Sequence, residues 1–219
     1  MMRTTVPRWL LATTGILAAW VLPAADRPTA HAAEPAAAKL IPVTAEAIAG
    51  REKSLAENAP EGAKLLAYLD CGSQQQSTTG KEVTIVCLAG VPYRFPSEAK
   101  DVLPSQSTVF YSTAEVPFRI DGLKRSERYV VGLSWWDYDN GGRTQSVVTG
   151  SPDGRLVRLA IPAIGLPNYT DAGQLPVERR FPLSVAFVRD GQLRLTVKQV
   201  TGANVVISEL WIWGLGAGE

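Results

Sequence analysis

The chain has 219 residues, 46% of them hydrophobic and 20% charged, with 22 basic against 21 acidic residues and a formal net charge of +1. So even a balance, with no run of Lys or Arg, provides no cationic field for nucleic acid or anionic lipid, and no nucleic-acid partner is expected. The single histidine, His31, falls in what reads as a removable leader. Its loss would exclude Ser–His–Asp triads, Cys–His pairs and His-ligated zinc.

Residues 1–8 form a short basic start with Arg3 and Arg8, and residues 9–23 are apolar apart from Thr13, Thr14 and Gly15. Basic then apolar is the order of a secretory signal. The apolar run is shorter than the roughly 20 residues of a membrane-spanning helix, and Pro23, Asp26 and Arg27 close it. An uncleaved anchor is the competing reading. Ala30 and Ala32 flank His31 as an A-x-A site, so residues 1–32 are expected to be removed after Ala32. The mature product, secreted or held in a periplasmic or extracellular space, would keep no membrane span, and its net charge would be about −1. In such an oxidising compartment, Cys71 and Cys87 read as a disulfide. It would close a loop of about 16 residues, worth roughly 3 kcal/mol. Free or redox-active thiols are the alternative.

Residues 33–62 are rich in Ala and charge and read as a lead-in. Thr44 as N-cap, Ile48 and Leu55 on one face, and Asn58, Pro60 and Gly62 as stop signals predict a short helix over 45–57. The residues leave open whether this helix docks on the β domain. From 63 to 219 the pattern changes to short β runs between turns. Strands are expected over 64–70, 82–88, 107–112, 116–120, 128–136, 144–149, 155–161, 181–189, 192–200 and 204–213. Ten strands without intervening helices predict an all-β fold, an antiparallel sandwich or barrel following one helix. Asp190-Gly191 is a two-residue hairpin signal, expected to join 181–189 to 192–200. In the last run Val206, Ser208, Leu210 and Ile212 alternate with Glu209, Trp211 and Trp213. The aliphatic set is assigned to the core. The two tryptophans are either covered by the helix or a second layer, or form a flat stacking surface, and burial is preferred because an exposed pair makes a large apolar patch.

The densest chemistry is the stretch Trp135, Trp136, Asp137, Tyr138, Asp139, Asn140, Gly141, Gly142, Arg143. Tyr129, Val131, Leu133 and Trp135 share a core face, so Trp136 is expected on the outer face, at the head of a loop carrying rings, carboxylates, an amide and a guanidinium. Sugar rings lay C–H faces on aromatic rings and pair their hydroxyls with planar polar groups, which is what this set offers. Three other readings compete. The spacing Asp137-x-Asp139-x-Gly141 partly resembles a calcium loop without its later bidentate glutamate, leaving a structural Ca2+ open. Asp137 and Asp139 as a catalytic pair would need one of two fixed separations, which a loop does not guarantee. A plain turn, with Asp, Asn and Gly serving the backbone, is the third. Asn168-Tyr169-Thr170 is a glycosylation sequon and predicts a surface loop.

Taken in order, Leu69-Asp70-Cys71-Gly72, Tyr111-Ser112-Thr113, Tyr129-Val130-Val131-Gly132-Leu133-Ser134-Trp135, Gly142-Arg143 through Val147, Asp190-Gly191-Gln192-Leu193 and Ile207-Ser208 resemble the malectin and malectin-like group of galactose-binding-type sandwiches. The match runs over about residues 66–213. The resemblance implies a jelly-roll-like sandwich whose loops at one end bind oligosaccharide or a protein partner. By position it implies a site at Tyr111, around Tyr138 and Asp139, and at Asn204. Asn204 departs from an acidic residue in that family, and a Gln-rich loop replaces the Trp and Asp expected after Cys-Gly.

The sequence is therefore expected to encode a secreted, non-catalytic carbohydrate-binding module, with no cofactor and an oligosaccharide or polysaccharide as partner. Tyr111, Trp136 and Tyr138 would stack on the sugar, and Asp137, Asp139, Asn140, Arg143 and Asn204 would take hydroxyls. A cell-envelope protein-interaction module of the same fold is the alternative, and a carboxylate-based glycosidase or lyase the third.

Overall fold

The computed structural model describes residues 43–80, 82–95, 102–169 and 173–217, all within one compact unit spanning 37–219. The leader expected at 1–32 lies outside the described residues. No helix among the described residues is long and apolar enough to cross a membrane.

The helix forms where its caps place it. In α1 (Ala45–Glu57) the Thr44 hydroxyl accepts from the Ala47 N–H at 3.2 Å, and Asn58 closes the other end on Ser54 and Ala56 carbonyls. The strands are β1 (Lys64–Asp70), β2 (Thr84–Cys87), β3 (Val91–Arg94), β4 (Thr108–Ser112), β5 (Glu115–Asp121), β6 (Glu127–Trp135), β7 (Thr144–Gly150), β8 (Val157–Gly165), β9 (Val177–Pro182), β10 (Leu193–Thr201), β11 (Val205–Ile207) and β12 (Glu209–Ala217). They pair antiparallel into a four-stranded sheet β1-β12-β6-β9, a five-stranded sheet β2-β5-β10-β7-β8 and a small sheet β11-β4-β3. The fold is thus the expected all-β sandwich with a short N-terminal helix.

Period-2 alternation builds the core. Leu69, Val131, Leu133, Leu210 and Ile212 of the four-stranded sheet meet Ile85, Val116, Phe118, Ile120, Val147, Leu193, Leu195 and Val197 of the five-stranded sheet, all fully buried. On the other face of the four-stranded sheet, α1 lies over Trp211 and Trp213, which are buried with Leu55, Leu65 and Tyr68. The Trp213 indole donates to the Leu55 carbonyl at 3.0 Å. Gly132 leaves the space that the Trp211 ring fills, since a Cβ there would meet the indole. Burial of the tryptophan pair under the helix is what the structure shows, and it removes them as a stacking surface.

Polar anchoring completes this layer. Arg51 of α1 gives Nε to Glu209 at 2.9 Å and Nη2 to Glu178 at 2.6 Å, while Glu209 also accepts from Tyr68 at 3.0 Å and Ser134 at 2.6 Å. Asp70, opposite Glu209 in the β1–β12 register, is buried and accepts from Thr108 at 2.8 Å. Burial dominates its titration and pushes its carboxyl up to about 7. The unfolded value is near 4, so between pH 4 and 7 the native state holds the extra proton and stability falls as pH rises. Asp70→Asn is expected to raise the thermal midpoint relative to wild type more at pH 8 than at pH 5. An equal difference at both pH values would refute the assignment.

Four expectations change. The run 181–189 is not one strand: β9 ends at Pro182 and pairs with β6, after which a 3-10 turn (Val185–Phe187) carries the chain across to the other sheet. The Asp190-Gly191 turn does form, with φ of 50° and 75° and reciprocal Arg189–Gln192 backbone bonds of 2.9 and 2.8 Å. However, β10 pairs with β5 and β7, so local turn chemistry was legible and the strand partner was not. The run 204–213 breaks at Ser208, where the chain leaves β11 in the small sheet and enters β12 in the four-stranded one. The disulfide is not formed: Cys71 and Cys87 are both free thiols. They follow β1 and end β2 in opposite sheets, and the Cys87 thiol points to the Ala89 carbonyl at 3.6 Å. Burial pushes the Cys87 thiol up to about 11 and the Cys71 thiol well above its ordinary value, which keeps both protonated.

Candidate functional site

The loop after β6 is organised from within. Trp136, expected on the outer face, is 1% exposed. At Asp137 the chain bends to pair with residues 167–169 (Asp137 N to Pro167 O, 2.7 Å), which turns the Trp136 ring inward. Its Nε1 donates to the Gln106 carbonyl at 3.1 Å, and Phe95 and Tyr169 rings lie 4.9 and 5.6 Å away. Trp136 therefore packs the base of the loop and is no sugar platform.

Asp137 is buried and saturated by its own turn. One oxygen accepts from the Gly141 N–H at 2.8 Å, the other from the Arg143 N–H at 3.1 Å, and the carboxylate is ion-paired with the Arg143 guanidinium. Burial raises its pKa, but the Arg143 and Gly141 amides and the Arg143 charge outweigh burial and hold it below the usual value. Arg143, itself buried, also clamps Asp139 and gives Nε to Asn204 Oδ1 at 2.9 Å. Both aspartates thus face one guanidinium, which supplies their counter-charge. Asp137 as a hydroxyl acceptor, and the buried Arg143 as a donor to ligand, are corrected to framework roles by this arrangement. Asn204 was placed here by position alone, and it reaches the loop from the β10–β11 turn.

Asn140 takes a left-handed backbone, φ 55°, as Asn tolerates, and its side-chain oxygen accepts from Asn168 Nδ2 at 2.5 Å. Asn168, half-buried, is therefore tied to the loop. The Tyr138 ring stacks on Phe95 with centroids 3.9 Å apart and planes at 5°, and Arg143 Cζ lies 5.0 Å from its centroid. Burial, with Asp139 second, pushes the Tyr138 hydroxyl up to about 12.

One residue escaped the sequence reading. Tyr93 on β3 is 43% exposed, lies 6.1 Å from Tyr138 at 25°, and meets Tyr111 on β4 edge-on at 6.1 Å. Pro92 hid the strand, yet β3 is an edge strand where a missing N–H is tolerated. The alternation Val91, Tyr93, Phe95 was the available signal. Tyr93, Tyr111 and Tyr138 together make a tyrosine edge at one end of the sandwich, with Asp139 and Asn140 exposed beside it. Of the three rings Tyr93 is the most open to solvent, since Tyr138 is covered by Phe95 and Arg143.

No protein-family profile matches the chain, and no curated protein matches it. Among solved structures, the chain is similar to the ANXUR2 extracellular domain from Arabidopsis thaliana at 11% identity and a TM-score of 0.49, over 69% of this chain and 49% of that one. It is also similar to the ANX1 ectodomain from Arabidopsis thaliana at 10% identity and a TM-score of 0.47, over 69% and 48%. A Bacteroides uniformis beta-glucuronidase follows at 10% identity and 0.48, over 68% of this chain and 17% of that one. The chain spans about half the length of the plant ectodomains and under a fifth of the glucuronidase.

Proposed function

We propose that the chain is a secreted, non-catalytic carbohydrate-binding sandwich of the malectin-like type, binding oligosaccharide at the tyrosine edge. One observation carries this reading: Tyr93, from a strand, stacks beside Tyr138, from a loop, and meets Tyr111 edge-on, while Phe95 and Arg143 hold the Tyr138 ring. Aromatic rings held in place lose little entropy on binding, and Asp139 and Asn140 lie where hydroxyls of a stacked pyranose need partners. The ordered motifs support the family assignment: Cys71-Gly72 closes β1, Tyr111 is on β4, Arg143 precedes β7 and Asp190-Gly191 forms its turn. The basic-then-apolar residues 1–32 support export. Glycan-array screening of the intact chain is expected to yield saccharide binding, and Tyr93→Ala to weaken it about tenfold, or ~1.4 kcal/mol. Tyr93 is half-exposed, so this substitution spares the core. A wild-type protein that binds no saccharide would overturn the reading.

A protein-interaction module is favoured by a separate feature. Leu156, Val157 and Leu159 are 51%, 61% and 56% exposed on and beside β8, an edge strand of the five-stranded sheet. An exposed apolar edge is a template for pairing with another chain. The tryptophan pair that first motivated this alternative is buried and no longer supports it.

A further inference from the structure

The outer face of the five-stranded sheet carries charges that the fold does not balance. On β10, Leu193, Leu195 and Val197 enter the core, which leaves Arg194, Thr196 and Lys198 on the opposite face. The register sets Arg194 directly across from Arg119 on β5 and Gly150 on β7, and Lys198 across from Glu115 and Ser146. Two arginines opposite each other in neighbouring strands are destabilising. Arg119 is satisfied by Asp121, whose two oxygens take its Nε at 2.9 and 3.0 Å. Arg194 and Lys198 share a single carboxylate, Glu115, at 3.3 and 3.6 Å, longer than a tight ion pair. Arg194 Nε also meets Thr196 Oγ1 at 3.4 Å, so the two cations have one carboxylate and one hydroxyl between them.

Glu115, Arg194, Thr196 and Lys198 line a groove of about 280 Å³, with Asp153 also on its wall. Its far wall is the turn after β7, held by Ser151 N to Leu156 O and Gly154 N to Ser151 O, both 2.9 Å. Asp153 on that turn is engaged by the Arg155 N–H at 3.1 Å and Arg155 Nε at 3.5 Å. Val157 lines the groove, and Leu156 at the end of the turn extends this exposed apolar ledge. A planar guanidinium fork and a point-charge ammonium approaching from different positions suit an anion with several non-coplanar oxygens. The half-exposed pairing with Glu115 is weak and easily exchanged.

We propose that this groove binds the sulfate or phosphate ester group of a substituted saccharide, the oxyanion on Arg194 and Lys198 and the sugar ring against Val157. The site differs from the tyrosine edge in its residues: on β7 the groove is lined by residues 148–150, whereas the tyrosine edge adjoins Arg143, before the other end of that strand. The saccharide half of the assignment rests on the carbohydrate reading above, and the anion half does not.

The test is an amide-shift titration of the intact chain with glucose 6-sulfate, glucose 6-phosphate, glucose, inorganic sulfate and inorganic phosphate. Expected are shifts at 115, 150–157 and 194–198 with either ester and none at these positions with glucose, the tighter ester naming the source of the anion. Arg194→Gln is expected to weaken ester binding about tenfold and Glu115→Gln to tighten it about threefold, because the internal competitor loses its charge. Lys198→Gln replaces Arg194→Gln if that variant fails to fold. Tyr93→Ala should leave the groove shifts unchanged. Equal shifts with glucose, inorganic anions binding as tightly as the esters, or weaker binding by Glu115→Gln would each overturn the proposal. Loss of neutral-glycan binding at the tyrosine edge with intact ester binding at the groove would count against the first site alone.

Discussion

Arg143→Ala is expected to destabilise the protein by about 3–5 kcal/mol, measured by urea unfolding, and to abolish saccharide binding at the tyrosine edge. The cost comes from what the substitution leaves behind. Asp137 is buried, and without the guanidinium it keeps two backbone amides but no counter-charge. Asn204 Oδ1 and the Asp139 carboxylate lose their partner too, although Asp139 is half-exposed and can turn to water. The Tyr138 ring loses the cation beside it, so the edge is no longer held in place. Adding Asp137→Asn should recover part of the loss, since the remaining polar group is then uncharged. A double variant less stable than Arg143→Ala would show that the pair is not the source of the effect.

Arg51→Ala is the second large effect, expected to cost about 3 kcal/mol and to red-shift tryptophan fluorescence as α1 loosens over Trp211 and Trp213. Arg51 is the side chain that joins the helix to Glu209 and Glu178. Burial raises the Glu209 pKa, but the Arg51 charge and the hydrogen bonds from Arg51 and Ser134 overcome burial and hold it below its ordinary value. In the wild type this contribution is present above the unfolded carboxyl pKa and fades as pH falls. Without Arg51 the desolvated carboxyl should rise above its unfolded value, so the sign reverses: the variant should gain on the wild type as pH is lowered from 8 to 5. A stability gap that stays constant or widens on acidification would contradict this. Because Asp70 lies opposite Glu209 and feels its charge, the comparison is made with Asp70→Asn present in both proteins.

The two variants test different layers. Arg143 secures a loop that the proposed ligand would touch, whereas Arg51 secures a cover that no proposed ligand reaches. Loss of saccharide binding by Arg51→Ala with the fold intact would therefore point to a site under the helix instead of the tyrosine edge.

Much of this fold is written in short-range pattern. Thr44 and Asn58 bound the helix because caps satisfy backbone groups within one turn. Asp190-Gly191 forms its turn because both residues accept positive φ, and the alternation in β1, β5, β6 and β10 assigns their core faces by period alone. What escaped is long-range. Alternation is the same whichever strand lies alongside, so nothing local told β9 to pair with β6 or β10 to lie between β5 and β7. Nor did it mark the break at Ser208. Trp136 looked outward by strand parity, and only the bend at Asp137 turned it in. The densest cluster of functional residue types proved to be a clamp around Arg143, completed by Asn204 from a distant turn, because a guanidinium buried with two carboxylates satisfies all three at once. The exposed platform fell instead to Tyr93, on a strand that Pro92 concealed. By itself the sequence determined the fold class, the helix and the end of the sandwich where aromatic and acidic residues gather. Tertiary structure decided which of those residues face solvent and which hold the others in place, because burial depends on what packs opposite a side chain.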